Sequence, residues 1–169
     1  MAVNYMVPGT KVVYPQPNTM ACWATVFAML SSWKQMVSFG NIRSAIVPLG
    51  QPWLGYFDRN TGIPPNAGTD FERAVGLVRE PRFNPTPQGW QTMLQQYGLI
   101  WATGTVPGGI HDRIVEGIAG DESGPGTSMY IMDPNGGHRY KETLDVFRAG
   151  FEGQAGVEPF YSDYQILHF

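Results

Sequence analysis

Cysteine is nearly absent from this chain: Cys22 is the only one in 169 residues. A single thiol cannot close an internal disulfide, so oxidation would only threaten the sulfur, and reducing surroundings suit it. Long hydrophobic runs are missing too. None approaches the roughly 20 residues of a bilayer-spanning helix, and Met1–Thr10 lacks the basic start and apolar block of a signal peptide. Charge is sparse, at 15% of residues with a formal net charge of -3 and no basic run. That argues against partners held by electrostatic attraction, nucleic acid and anionic membrane alike. Cys-x-x-Cys and His-x-x-x-His spacings do not occur. A metal site would need four distant residues to converge, and no cofactor is expected.

What is present is a chain 43% hydrophobic, long enough for one domain with a sizeable core and too short for two. Its 21 glycines and 14 prolines show no repeat, which suits a loop-rich α+β fold. Between Met20 and Val37 the residues Trp23, Val26, Phe27, Leu30 and Trp33 recur at helical spacing, with Thr19 offered as a side-chain cap. From Gly40 to Gly68 dense glycine and proline predict surface loops holding short helical turns. A second helix is predicted over Thr69–Arg79, with Thr69 and Glu72 as a capping pair and Phe71, Ala74, Val75 and Val78 on one face. A third is predicted over Gln88–Tyr97, ended by Gly98. Beyond Gly98 the texture changes to short apolar runs rich in β-formers: Leu99–Ala102, Arg113–Ile118 and Ser128–Met132. Such runs predict an antiparallel sheet. One more short helix over Glu142–Phe151 and a closing strand region within Phe160–Phe169 complete the expectation: a helical part over about 1–98, a sheet part over about 99–169, one domain from 1 to 169.

The chemistry centres on Gln16-Pro17-Asn18-Thr19-Met20-Ala21-Cys22-Trp23-Ala24, which puts the sole thiol where an apolar helix begins. Orphan N–H groups and the positive end of the helix dipole favour a thiolate there. A lone cysteine in an apolar setting is more often a small core residue, so the surroundings decide. Thiol catalysis at neutral pH needs a base and a group to orient it. The chain holds three histidines. His111 opens a strand after Gly108-Gly109, His138 follows Gly136-Gly137 in a turn, and His168 is one residue from the end. His111 is preferred because a strand end is rigid where turn tips and termini fray; His138 is the alternative, and His168 suits a structural histidine. Asp133 ends the following strand. If the two strands pair through Gly120–Thr127, His111 and Asp133 fall at one end of the hairpin, where a carboxylate can fix the imidazole tautomer. Asp133 before Pro134-Asn135-Gly136 is equally a turn opener. Gln16 is a candidate oxyanion donor with the Cys22 backbone N–H.

Gln16, Cys22-Trp23-Ala24, the distant His111 and the Asp133-Pro134-Asn135-Gly136-Gly137 segment together resemble the papain-like cysteine peptidases, in particular the bacterial branch of AvrRpt2-type effectors and C39-like peptidases. The resemblance extends through Pro85-Thr86-Pro87 and Tyr97-Gly98-Leu99-Ile100-Trp101. It implies a papain-like α+β fold in which a helical part carrying the nucleophile packs against an antiparallel sheet. It also implies Cys22 as nucleophile, His111 as general base and acid, Asp133 as orienting residue and Gln16 as oxyanion-hole glutamine, with a protein or peptide as substrate. Asp112 departs from the pattern, standing where these peptidases usually carry an apolar residue.

Two other readings stay open: a cysteine-type amide hydrolase acting on peptidoglycan, and a papain-fold binding module that has lost activity. Such small peptidases are often effector or toxin domains delivered into another cell, which the absence of a leader suits, as it suits a cytoplasmic enzyme. A toxin would have an immunity protein by analogy.

Overall fold

In a computed structural model that describes residues 2–106, 109–156 and 165–169, the chain opens with a strand, β1 (Val3–Met6), before helix α1 (Cys22–Gln35). Short helices α2 (Ile42–Ile46), α3 (Trp53–Asp58) and α4 (Gly68–Val75) follow, then strand β2 (Val78–Arg79) and helix α5 (Pro87–Tyr97). Strands β3 (Ile100–Val106), β4 (Gly109–Gly120), β5 (Thr127–Asp133) and β6 (His138–Thr143) form a meander. Helix α6 (Leu144–Gly156) and strand β7 (Ile166–His168) close it. No helix among the described residues is long and apolar enough to cross a membrane.

The strands make one antiparallel sheet in the order β2-β7-β3-β4-β5-β6, with β1 also paired to β4. The long β4 is its axis. Its first half pairs with β3, from Val106↔Gly109 to Ile100↔Val115, and its second half with β1, from Met6↔Gly117 to Val3↔Gly120. On its other edge β5 runs alongside, with a bulge between Val115 and Gly117. Side chains alternate across a pleated strand, and β4 shows both faces covered. Cys22 of α1 contacts Asp112, whereas the next residue, Arg113, lies under the Phe147 ring of α6 at 5.6 Å. Burial on both sides explains why β4 is closed to solvent from Asp112 through Ile118.

The sheet is thus not confined to the second part of the chain, because β1 and β2 come from within the first 98 residues. Other sequence expectations change for local reasons. Helix α4 stops at Val75 because Gly76 takes a left-handed conformation, φ 73°, a backbone state open to glycine at no steric cost. Glu72 and Thr69, expected to cap it, instead receive the Arg79 guanidinium at 2.6 and 3.3 Å. Phe71 is buried, while Ala74 and Val78 are exposed. Within the proline-rich stretch Trp53 and Phe57 are core residues. Asn135 to Gly137 form the turn expected there, but His138 begins β6. Of the closing strand region, residues 165–169 fall within the described residues and hold β7.

Phe71 joins the helices to the sheet. Its ring meets Trp23 of α1 at 5.4 Å, Trp53 of α3 at 5.3 Å and Trp101 of β3 at 6.1 Å, all edge to face, the arrangement aromatic quadrupoles favour. On the far face Trp90 of α5 meets Phe147 and Phe151 at 5.3 and 5.4 Å. Replacing Phe71 with Ala leaves a cavity among three large rings and is expected to cost about 3–5 kcal/mol. Urea unfolding checks this: the midpoint should fall with the slope unchanged, and a loss under about 1 kcal/mol would contradict the cluster's role.

Candidate active site

Cys22 is the first residue of α1, and its side chain is half-buried. Ala21 occupies the cap position without a side-chain bond. The expected cap, Thr19, is turned away, its hydroxyl accepting from Asn60 Nδ2 at 3.3 Å while Met20 N donates to Asn60 Oδ1 at 3.0 Å. The helix start therefore presents unblocked N–H groups beside the sulfur, as such ends do when no cap consumes them.

The loop leading to Cys22 is fastened to the sheet at three points. Glu116, displaced by the bulge in β4 and buried, holds Lys11 at 3.0 Å and Arg139 at 3.1 Å. Gln16 N donates to Pro134 O at 2.7 Å. Gly137, with φ 64°, lets Pro15 approach so closely that a Cβ there would lie 2.6 Å from the Pro15 nitrogen. These contacts dock Gln16 against the turn that begins at Asp133.

His111, near the start of β4, and Asp133, at the end of β5, are brought together. The ring Nε2 and the carboxylate Oδ1 are 2.7 Å apart, both side chains mostly enclosed. Asp133 is further held by the Asn135 N–H at 2.8 Å and by the Tyr140 hydroxyl at 3.4 Å, itself the acceptor of Arg113 Nη1 at 2.7 Å. Burial alone would raise this carboxyl. The hydrogen bond and charge of His111, the Asn135 N–H and the charge of Arg113 outweigh burial and hold it below the usual carboxylate range.

The sulfur has a different partner. Cys22 Sγ lies 3.6 Å from Asp112 Oδ2, and no hydrogen bond joins it to His111. Asp112 Oδ1 accepts from Trp101 Nε1 at 3.0 Å and from Thr103 Oγ1 at 2.7 Å. Burial pushes the Cys22 thiol well above its ordinary value, and the Asp112 charge adds to it. The helix dipole, worth about 0.3–1 kcal/mol at such a position, works the other way and loses. Burial also raises Asp112, against the opposing pull of Thr103, Trp101 and the neighbouring His111 charge. A carboxylate beside the thiol was not expected from the sequence. The signal available was Asp112 standing directly after His111, where the resembling peptidases usually carry an apolar residue.

Gln16 is half-buried, and its Nε2 donates to Asn18 O at 3.0 Å and Thr19 O at 3.3 Å, while its Oε1 is buried without a partner. The other two histidines are apart from this group. His138 is exposed, its ring 5.4 Å from that of Tyr140. His168 is buried, bonded to Glu80 Oε1 at 2.9 Å and stacked on Tyr97 at 3.6 Å.

Among family models, the one described as papain-like cysteine protease AvrRpt2 matches residues 2–152, a span that contains Gln16, Cys22, His111 and Asp133. No curated protein matches the chain.

Because the folded state holds Asp133 below its ordinary value, its ionised form adds stability that is present above about pH 4 and is lost as pH falls through the lowered folded value. Asp133→Asn is expected to reduce stability at pH 7 by about 1–3 kcal/mol through unsatisfied buried donors. Urea titrations between pH 2 and pH 7 should show the gap to wild type narrowing below about pH 4. A constant gap would contradict the assignment of the carboxylate's charge.

Proposed function

The chain belongs to the papain-like cysteine protease AvrRpt2 family and is a hydrolase, and from that premise we propose that it is an endopeptidase, a single papain-like domain that cleaves protein substrates through Cys22, His111 and Asp133. The observation that carries the reading is the His111–Asp133 contact at 2.7 Å at the rim of the sheet, within the span that the family model matches together with Cys22. Asp133 engages Nε2, fixes the ring and leaves Nδ1 to exchange a proton.

In the reaction the sulfur gives up Asp112 and passes its proton to His111 Nδ1. The thiolate attacks the scissile carbonyl carbon, and the carbonyl electron pair moves to oxygen as an oxyanion. The Cys22 N–H donates to that oxygen. Gln16 Nε2 supplies the second donor once it turns from the Asn18 and Thr19 carbonyls, a contribution typically worth about 10²–10³ in rate. The intermediate collapses, the C–N bond breaks and the leaving amine takes the proton from His111. Water then attacks the thioester carbonyl while giving a proton to His111, and the acid departs as the thiol is restored.

The family resemblance extends the proposal to biology: an effector or toxin domain acting on a protein of another cell, with an immunity or inhibitor protein as partner in the toxin case.

A mixture of proteome-derived peptides, read by mass spectrometry, tests the reading. Wild type is expected to generate new termini and Cys22→Ala none, while the unfolding free energy of that variant in urea falls by no more than about 1.5 kcal/mol, since the one hydrogen bond lost is that of the sulfur to Asp112. His111→Ala should lose about 10²–10⁴-fold. Undiminished cleavage by Cys22→Ala would refute the proposal.

A further inference from the structure

We propose that Asp112 is a positioning residue for the nucleophile: its Oδ2 accepts the Cys22 S–H and holds the sulfur as a neutral thiol in the resting protein, so that a thiolate forms only when this contact is broken. The inference takes Cys22 as the reactive group and in that respect rests on the function proposed above.

The geometry leaves the Asp112 carboxylate little else to do. It is only 5% exposed, and its Oδ1 is occupied by two donors, the Trp101 indole and the Thr103 hydroxyl. The remaining oxygen faces Sγ at 3.6 Å, within reach for a sulfur donor. Those partners also decide where the shared proton resides. Ordinary carboxyl and thiol groups differ by about 4–5 pKa units in the carboxylate's favour. Burial penalises charge on either group, but the carboxylate keeps two side-chain hydrogen bonds against that penalty, whereas the sulfur has only the backbone N–H groups of Asp112 and Trp23. The charge therefore stays on Asp112 and the proton on Cys22.

The charged groups around the pair do not overturn this. His111 and Arg113 on β4 flank Asp112, but His111 is bonded to Asp133 of β5 and Arg113 to Tyr140 and Glu142 of β6. Strand β3 carries no charged residue, and the first turn of α1 carries none either. On α4, which meets β3 through Phe71 and Trp101, Asp70 pairs with Arg73 and Glu72 with Arg79. In the docked loop Lys11 pairs with Glu116. No free cation is described beside the sulfur to favour its ionisation, unlike the Cys–His ion pairs of activated thiols.

The experiment measures the rate of alkylation by iodoacetamide from pH 5 to pH 10, by intact mass, for wild type and Asp112→Asn. The asparagine keeps an oxygen for Trp101 and Thr103 and presents N–H in place of a negative oxygen to the sulfur. Wild type is expected to titrate above the roughly 8.5 of a free thiol and Asp112→Asn at least about one unit lower. Each unit gives about tenfold more thiolate at pH 7 but a weaker nucleophile, for a net gain of about threefold in rate. A merely structural role for Asp112 would alter the urea midpoint without moving the pH profile. A wild-type value below about 8.5, or coincident profiles for the two proteins, would overturn the proposal. Should Asp112→Asn not fold, the wild-type profile decides alone on the same threshold. Alkylation needs no peptide cleavage, so failure of this inference and failure of the peptidase reading are separately visible.

Discussion

Three consecutive polar residues in a buried strand impose the constraint on which this molecule depends. His111, Asp112 and Arg113 lie in β4 between α1 on one face and α6 on the other, and a buried charge without partners costs several kcal/mol. Each is answered by a different element. His111 takes Asp133 from β5, Asp112 takes Trp101 and Thr103 from β3 and the thiol from α1, and Arg113 takes Tyr140 and Glu142 from β6. The register of the sheet and the docking of α1 are thereby tied to the groups proposed to carry the chemistry. A slip of β4 by one residue would reverse the faces and leave all three unpaired.

The same logic extends to the segment before α1. It has no regular structure of its own between β1 and Cys22, yet it is fixed by Glu116, which the bulge in β4 releases from the ladder to meet Lys11 and Arg139. Broken pairing at one residue thus anchors the loop that presents Gln16 and Cys22. The hydrogen bond from Gln16 N to Pro134 O places this loop beside the turn that follows Asp133, so loop and turn meet through backbone.

Much of this was legible in the chain. The apolar spacing of Trp23, Val26, Phe27 and Leu30 marks α1 because helical periodicity is local, and Gly98 ends α5 because its left-handed backbone, φ 81°, is a local property too. The hairpin joining His111 to Asp133 follows from the turn signals between two apolar runs. What was hidden depends on distant partners. The two-residue strand β2 exists only because β7 lies beside it, and Glu72 serves Arg79 rather than a cap for reasons no window of sequence contains. Asp112 was visible as a departure from the apolar residue usual after the histidine in the resembling peptidases, but its bond to a sulfur 90 residues earlier emerges only when α1 docks on the sheet. The dipole argument for an ionised thiol was sound locally and was outweighed by burial and a neighbouring carboxylate.

The most direct test of the whole account is to look for the covalent intermediate. An activated acyl donor, such as the nitrophenyl ester of an N-blocked peptide, would be mixed with wild-type protein, quenched in acid within the first turnover and mapped by mass spectrometry. The account predicts one acyl group, on the peptide containing Cys22, that disappears with time as water completes the reaction. An acyl group carried stably by another residue, or none on Cys22 while ester is consumed, would contradict it.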